Sequence, residues 1–552
     1  MSNTTTGSDR VVPGQQPPEE SRASRLTRFT GSVAAHWQFA IVVAVAVVMR
    51  IIVILGYPPI LWFDDSYNYI YDAFTHRPDV IRTNGYPFFL QLLLPLHSAY
   101  PIGLVQAAMG VAMGIVIYAL LRRRGLPWWG AALAAVPVLF DAYQLHLEHM
   151  ITSDVLFVFL ITVAIVILCW NDRPSVLVMA LAGLLIGYAT LVRSVGQPLL
   201  VVILVAMLIR RVGWRRLVTL LVAGVVPIAA YMIWFHGTTG KYALTQSLGP
   251  FLYSRVSAFA DCSKLDPPAD LHFLCDKHPP RDRPPASQYI WADNDLPVNG
   301  KVTYTPLYDD KRFGSNTNAR FGPVVSRQAK QFAEFFIEKQ PVTYLRVVGK
   351  DVLHTFGWNR EPDPGGVYET ANGNGPTFRF ISGSALTRER PWYTHPTHLP
   401  GTPPQSYCDA TCQRGDPQAG QVQAAERAFA GEGLGATRAV GPWDSILRWY
   451  QHYIYLRGTL LALIVLIGLA GVLARWRRWG GLALLPWLVG ALMIVLPPMT
   501  AGFSYRYVLA AIPATCLAAG LAFAREPGEM SAGARVAGLR RHLGRGRAVE
   551  QE

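Results

Sequence analysis

Charged residues are scarce in this chain: Asp, Glu, Lys and Arg make up only 16% of its 552 residues, whereas hydrophobic residues make up 51%. The mean hydropathy is +0.23 over the whole length. A composition this poor in charge excludes an ordinary soluble protein and indicates an integral membrane protein with several spans.

Nucleotide-binding loops and internal repeats are also absent from the sequence. There is no G-x4-G-K-[ST] loop, and no G-x-G-x-x-G that follows a strand-like segment. These two patterns cradle the phosphates of nucleotides and dinucleotides. Their absence argues against work that is driven by nucleotides.

Long apolar windows predict an α-helical polytopic membrane protein. The first window, 37–56, is apolar except for Arg50, and it is too long for a cleaved signal peptide. Further windows bring the prediction to about ten transmembrane helices, in a chain with a mixed extracytoplasmic domain. These windows are 101–121, 126–143, 150–170, 176–192, 197–209, 217–235, 456–474, 482–497 and 505–524.

Basic clusters predict the orientation of these spans. The clusters fall on one side of the predicted membrane, and that side should be the cytoplasm. They contain Arg22, Arg25, Arg28, Arg122, Arg123, Arg124, Arg173, Arg210, Arg211, Arg215, Arg216, Arg475, Arg477 and Arg478. The net charge of +14 is spread over short loops instead of one patch, so nucleic acid is not an expected partner.

The same pattern divides the chain into five regions. A cytoplasmic tail (1–36) precedes a membrane domain (37–236) with about seven spans, in which residues 57–100 form the first outer loop. An extracytoplasmic region (237–455) contains two predicted helices, at 321–340 and 342–358. The last spans (456–524) and a basic cytoplasmic tail (525–552) follow. Both termini should therefore be cytoplasmic in a multi-pass protein of the cell membrane.

Cysteines are few, and their placement agrees with this orientation. Two of the six cysteines, Cys169 and Cys516, lie in predicted spans, and the other four lie in the large outer region. An even number of cysteines in an oxidising compartment favours disulfides. The simplest pairing is Cys262 with Cys275 and Cys408 with Cys412, and a zinc site built from the four thiols is the alternative.

An acidic pair, Asp64-Asp65, follows directly on the first predicted span. Acids at a membrane boundary are costly and often functional, and here they could meet the headgroup of a substrate carried by a lipid. The structural alternative is that one of them caps a helix that starts at this point.

Four stretches carry a resemblance to membrane glycosyltransferases of the GT-C fold, mainly in the first third of the chain and the last span. Within that group the chain is most similar to the branch of protein O-mannosyltransferases and aminoarabinose transferases. Residues 237–455 match nothing in this group. The stretches are Asp64-Asp65-Ser66-Tyr67 with Asn84-Gly85-Tyr86-Pro87, residues 148–154, residues 183–193, and Tyr505-Arg506-Tyr507.

The resemblance implies an inverting glycosyltransferase that takes a sugar from a polyprenyl-phosphate carrier. The acceptor would be a glycan, a lipid or a protein on the outer face of the membrane, and surrounding lipids would be further partners. Asp64 would be the base that takes the acceptor's proton, and Asp65 would orient the acceptor, hold a metal or shift its neighbour's pKa.

Arginines at the outer ends of spans are candidates for binding the departing phosphate. Arg193 and Arg506 are the first choices, and Arg50 and Arg82 flank the first outer loop. The planar guanidinium group suits a phosphate because it donates two hydrogen bonds at once. The alternative is that an arginine at a span end merely extends towards lipid headgroups.

Residues 146–154 add further candidates. Glu148 and Asp154 are predicted to contact the sugar, and His146, Glu148 and His149 are weaker candidates for a divalent metal site. No cofactor is certain, and a divalent metal stays an alternative. Asp154 could instead pair with a neighbouring arginine.

Tyr67 and Tyr86 are predicted to contact substrate, although aromatic residues populate every membrane interface.

Two other functions fit a polytopic protein with these features. A transporter or lipid flippase would be expected to show inverted repeats and broken helices at the midplane, and neither is visible in the sequence. A non-catalytic scaffold of the cell envelope would use residues 237–455 as a docking region.

Overall fold

The computed structural model describes residues 36–283, 286, 288–291, 307, 321–360, 380–382, 428, 437–478 and 480–524. The side chains of six of these residues are not described: Asp64, Tyr67, Arg281, Gln288, Trp291 and Arg478. All regular elements in these residues are helices, and an isolated parallel bridge joins Leu61 to Met150. The two terminal tails and the predicted pair Cys408–Cys412 lie outside the described residues.

The α-helices follow one another along the chain and are numbered in that order. They are α1 (Trp37–Gly56), α2 (Asp64–Thr75), α3 (Gly85–Leu93), α4 (Tyr100–Arg123), α5 (Trp128–Phe140), α6 (Ala142–Glu148), α7 (Asp154–Trp170), α8 (Val176–Val192), α9 (Gly196–Ile209), α10 (Trp214–Thr239), α11 (Leu248–Ser257), α12 (Gln288–Trp291), α13 (Pro323–Lys339), α14 (Pro341–His354), α15 (Trp443–Tyr453), α16 (Gly458–Ala474), α17 (Leu484–Thr500), α18 (Tyr505–Leu509) and α19 (Ile512–Leu521). Short 3₁₀ turns lie at Leu94–Leu96, Ala269–Leu274, Pro280–Asp282, Trp476–Arg478 and Gly481–Ala483.

Four helical segments of the described chain are long and apolar enough to cross a membrane: α1, α4, α10 and Gly481–Thr500, which includes α17. Two bent pairs raise this number to six, with angles of 55° between α5 and α6 and 57° between α15 and α16. Shorter apolar helices, including α7, α8 and α9, account for the other predicted windows. The prediction of a helical protein with several apolar segments that could span a membrane is therefore confirmed, and the count of about ten spans stays a prediction.

Glycines bring α8 and α10 into close contact. A Cβ atom at Gly183 would lie 2.5 Å from the Leu220 carbonyl oxygen, and one at Gly187 would lie 2.5 Å from that of Gly224. The spacing Gly183-x3-Gly187 places both glycines on one face of α8. Small residues at this spacing let the backbones of membrane helices approach each other.

The helices have two ends of different character. At one end, called the Arg124 end, Arg124 Nη1 lies 2.6 Å from Asp172 Oδ1. Arg475 Nη1 also donates to the Ala522 carbonyl oxygen at that end, over 2.8 Å. The opposite end, called the Asp65 end, begins where Leu61 donates its backbone N–H to the His149 carbonyl over 2.8 Å.

A helical lobe built from α11, α13 and α14 rests on the Asp65 end. It has its own core around Tyr253, Phe332 and Phe336. Its Tyr344 hydroxyl donates to the Met499 carbonyl at the end of α17, over 2.8 Å. The predicted helices at 321–340 and 342–358 are confirmed as α13 and α14.

A disulfide joins Cys262 and Cys275 in this lobe, with a Cα–Cα separation of 6.0 Å, and confirms the first predicted pairing. Cys169 and Cys516 are buried free thiols in α7 and α19.

Candidate functional site

The start of α2 fixes the acidic pair at the Asp65 end. Asp64 and Asp65 are the first two residues of α2, directly after Phe63. The Ser66 hydroxyl accepts a hydrogen bond from the Phe63 N–H over 2.9 Å and donates one to the Ile151 carbonyl over 2.7 Å. Ser66 thus provides the cap and also ties α2 to the neighbouring segment. The helix N-terminus favours negative charge at Asp65.

Five side chains form a continuous arginine–aspartate network around Asp65. Asp65 Oδ1 lies 2.5 Å from Arg82 Nη2, and its Oδ2 lies 3.1 Å from Arg506 Nη1. Arg506 also reaches Asp154, with 2.7 Å between Nε and Oδ2. The second oxygen of Asp154 lies 2.6 Å from Arg193 Nη1. One arginine, Arg506, therefore bridges the two carboxylates.

The network is assembled from distant parts of the chain. Asp154 opens α7, Arg193 directly follows α8, and Arg506 lies in α18. Arg506 is only 7% exposed and Asp154 8%, whereas Arg193, the most accessible member, is 19% exposed. The predicted residues Asp65, Asp154, Arg193 and Arg506 are thus brought together at one helix end. The alternative expectation that Asp154 pairs with an arginine is met as well.

The arginines control the ionisation of Asp65. Burial of its carboxyl group works to raise the pKa, but the positive charges of Arg82 and Arg506 outweigh burial and lower the pKa from 3.8 to about 2. Asp65 is therefore ionised at neutral pH, and it is a weak base. Within the network, three guanidinium groups face two carboxylates, which leaves an excess of one positive charge.

Two further acids lie beside the network and behave differently. Asp79 Oδ2 is 3.7 Å from Arg82 Nη1. Burial raises the pKa of Asp79 despite the charge of Arg82, and burial together with Asp79 raises the pKa of Asp72 well above its usual value. Both groups hold a proton more readily than Asp65 does, so they offset less of the positive charge.

Aromatic rings line the network. The Phe63 ring centroid is 5.0 Å from the guanidinium carbon of Arg506, and the Tyr507 centroid is 5.4 Å from that of Arg193. The hydroxyl of Tyr69 lies 3.0 Å from that of Ser153. Burial and the nearby Asp65 charge raise the pKa of Tyr69 to about 12, so this hydroxyl keeps its proton.

Tyr86, a predicted substrate contact, is fully buried behind Tyr69. The two ring centroids are 5.0 Å apart. The Tyr86 hydroxyl donates to Gln106 Oε1 over 2.8 Å, and Gln106 in turn donates to the Glu148 and Met150 carbonyls. Tyr86 therefore packs behind Tyr69 and supports the position of that ring. The side chain of Tyr67, the other predicted tyrosine, lies outside the described residues.

Glu148 lies apart from the network. Its carboxylate forms a buried ion pair with Arg50 of α1, with 2.7 Å between Nε and Oε2. Gln144 Nε2 donates to the same carboxylate over 3.1 Å. The predicted roles of Glu148 in sugar or metal contact receive no geometric support, because its oxygens already bind Arg50 and Gln144.

The metal candidates are not arranged as ligands. His149 Nε2 lies 2.8 Å from the Tyr57 carbonyl oxygen, and burial lowers the pKa of His149 to about 4. His146 stacks edge-on against Phe380, with ring centroids 5.0 Å apart. In the part of the chain that the structure describes, no three His, Cys, Asp or Glu residues are grouped to hold a metal ion.

Arg82 is a member of the site that the sequence indicates only weakly. It lies in the loop between α2 and α3, 17 residues after Asp65. Its signal is its position in the first outer loop, because arginine is uncommon on the outer side of membrane proteins. Tyr69 and Ser153 carry no comparable signal.

No family model, no characterised protein and no solved structure matches this chain. The chemistry of the site is therefore inferred from its geometry. Guanidinium groups that are held in place by carboxylates can bind a phosphate through paired hydrogen bonds. An ionised carboxylate next to them can position those groups.

Proposed function

We propose that this protein is an inverting glycosyltransferase that moves a sugar from a polyprenyl-phosphate carrier to an acceptor hydroxyl. The observation that carries the proposal is the arginine–aspartate network, a positively charged site at one end of a set of apolar helices. A carrier lipid would bring its anionic headgroup to this boundary from within the membrane. The acceptor is a glycan, a lipid or a protein.

The proposal places the Asp65 end outside the cytoplasm. Support comes from the Cys262–Cys275 disulfide, because disulfides persist in oxidising compartments. Further support comes from the basic residues of the Arg124 end, such as Arg124, Arg210 and Arg475, which suit the cytoplasmic face. If the two bent pairs, α7, α8, α9 and the segment Tyr505–Leu521 each cross once beside the four long spans, ten spans put both termini in the cytoplasm.

Arg193 is the group assigned to the carrier phosphate. Its Nη1 donates hydrogen bonds to both Asp154 and Ser153. Among the described residues these bonds leave its Nε and Nη2 for another acceptor. It is also the most exposed member of the network. Arg82 and Arg506 add positive charge beside it, which stabilises the phosphate as negative charge develops on it.

Asp64 is assigned as the base and Asp65 as a positioning residue. With its pKa near 2, Asp65 takes up a proton poorly, and its two oxygens already bind Arg82 and Arg506. In the transfer, the acceptor oxygen forms a bond to the anomeric carbon and the bond from that carbon to the phosphate oxygen breaks. The phosphate leaves with the electron pair, and the acceptor proton passes to the Asp64 carboxylate.

Purified protein in nanodiscs, incubated with a panel of polyprenyl-phosphate sugars and acceptors, tests the proposal. We expect one donor to release polyprenyl phosphate and to give a glycosylated acceptor. Asp64→Asn should lower turnover by about 10²- to 10⁴-fold, the usual contribution of a general base. Arg193→Gln should lower it by roughly 10²-fold.

Asp172→Asn is the matched control, since it breaks the ion pair with Arg124 at the opposite end of α7. It should keep full turnover. If thermal unfolding shows that the protein is folded and no donor releases polyprenyl phosphate, the reaction class is refuted. Equal turnover of Asp64→Asn and Asp172→Asn would refute the assignment of the base.

A further inference from the structure

An apolar groove of about 780 Å³ runs along the helix bundle between α5, α16 and α19. It extends from the Arg124 end, near Leu126 and Phe523, to the Asp65 end, near Asp141 and Tyr455. Its walls include Leu133, Val136, Leu463, Ile467, Ala519 and Phe523. The groove thus follows the length of α5.

The chemistry of the groove is that of hydrocarbon. Of its lining residues only Asp141 bears a charge, and both its oxygens bind Arg360, at 2.7 and 3.2 Å. Leu133 is 65% exposed and Phe523 74% exposed on the flank of the bundle. The groove is therefore open sideways, where lipid chains would surround the helices.

A cationic mouth lies at the Asp65 end of the groove. Arg457, the residue before α16, stacks on Tyr455, with 4.1 Å between the guanidinium carbon and the ring centroid. Its Nη1 donates to Asn359 Oδ1 over 3.0 Å. Among the described residues, no carboxylate lies within ion-pair distance of Arg457, whereas Asp141 neutralises Arg360.

Aromatic residues mark the level of this mouth. Trp358 is 58% exposed, Tyr453 55% and Trp449 64%. Exposed tryptophan and tyrosine side chains concentrate at the depth of lipid headgroups. A lipid in the groove would therefore place its headgroup beside Arg457.

From this arrangement we infer that the groove holds one acyl chain of an anionic phospholipid, whose phosphate binds Arg457. The groove volume falls within the range of about 300 to 1,000 Å³ that single-ligand pockets occupy. The groove ends at the Asp141–Arg360 pair and not at the arginine–aspartate network. This lipid site is distinct from the proposed glycosyl-transfer site and does not depend on that function.

Nanodiscs of phosphatidylglycerol and phosphatidylcholine, followed by native mass spectrometry of the released protein, test the inference. We expect one phosphatidylglycerol per chain to survive release, with at least a several-fold preference over phosphatidylcholine. Ala519→Phe, which fills the groove, should abolish retention. Arg457→Gln should remove the preference between the two lipids while the groove itself stays open.

Two variants serve as matched controls. Leu184→Phe adds bulk at an exposed site on α8, and Arg327→Gln removes an exposed charge from the lobe. Both should retain phosphatidylglycerol as the wild type does. If the wild type retains both lipids equally, the bound lipid is only annular lipid, and the inference is overturned. An unaltered preference for phosphatidylglycerol in Arg457→Gln would overturn it as well. Displacement of the phospholipid by stoichiometric polyprenyl phosphate would assign the groove to the carrier and would also overturn it.

Discussion

Arg506 is the residue on which the geometry of the site depends. It contacts Asp65 through Nη1 and Asp154 through Nε, and so holds α2, α7 and α18 in one arrangement. A lysine has a single ammonium group on a flexible stem and cannot span two carboxylates in this fixed way. The bridge orders Asp65 and Asp154, and each of them in turn orders one of the other two arginines.

The low pKa of Asp65 predicts a specific acid sensitivity. Its folded pKa, about 2, is below the ordinary value of 3.8, so the stabilisation is complete above about pH 4 and is lost as the pH falls towards 2. The effect should be about 2 kcal/mol. Thermal unfolding in detergent should show a higher melting temperature for the wild type than for Asp65→Asn. This difference in melting temperature should narrow as the pH falls from about 4 to 2.

Asp172→Asn is the control for this measurement, because Asp172 is 39% exposed and its ion pair is screened by water. Its gap to the wild type should be small throughout. If the curves of the wild type and Asp65→Asn instead run parallel from pH 5 to pH 2, the arginines do not lower the pKa of Asp65.

The residue types of the site could be predicted from the sequence, but their partners could not. Asp65, Asp154, Arg193 and Arg506 stand out because charge at a helix end near a membrane is costly. Glu148 stands out for the same reason, yet its partner is Arg50, 98 residues away. Sequence spacing carries no information on which of these charges meet, and in the structure Glu148 pairs with Arg50 outside the arginine–aspartate network.

Apolar windows in the sequence predict well where the helices lie. They predict poorly whether a helix is continuous or broken. The window 176–192 coincides with α8, since a uniformly apolar helix with a serine cap has clear ends. The window 126–143 instead contains a break, where the Asp141 carboxylate accepts hydrogen bonds from the N–H groups of Tyr143 and Gln144. Arg360, which holds Asp141 there, lies 219 residues further along the chain and is invisible to a local pattern.

The Arg50–Glu148 pair predicts how α1 is anchored to α6. Glu148→Gln leaves Arg50 as an uncompensated buried charge, so we expect a loss of roughly 3 to 5 kcal/mol in the free energy of unfolding. The double variant Arg50→Met with Glu148→Leu should recover most of it, because apolar side chains of similar volume replace both charges. Chemical denaturation in detergent measures both effects.

This experiment also separates a structural Glu148 from one that contacts substrate. If Glu148 is structural, turnover per folded molecule should be close to that of the wild type in the double variant. A Glu148→Gln protein with wild-type stability and abolished turnover would contradict the structural assignment.

At the scale of the whole molecule, the two ends of the bundle differ in what covers them. The Asp65 end carries the arginine–aspartate network and the lobe with its disulfide. Gln246, in the segment that leads into the lobe, donates its N–H to the Val80 carbonyl over 2.7 Å. The Arg124 end carries arginines that bind backbone carbonyls, as Arg210 does with Leu168 over 3.0 Å. This asymmetry predicts a single orientation in the membrane.

Thiol labelling with a membrane-impermeant maleimide tests that orientation. In a background with Cys408 and Cys412 replaced by serine, the native free thiols Cys169 and Cys516 are buried and should not react. Glu338→Cys, on an exposed position of the lobe, should be labelled in intact cells, because the lobe would face the outside. Ser175→Cys, at the start of α8 near the Arg124 end, should be labelled only after permeabilisation. The reverse pattern would place the arginine–aspartate network in the cytoplasm, where a carrier-linked sugar on the outer face could not reach Arg193.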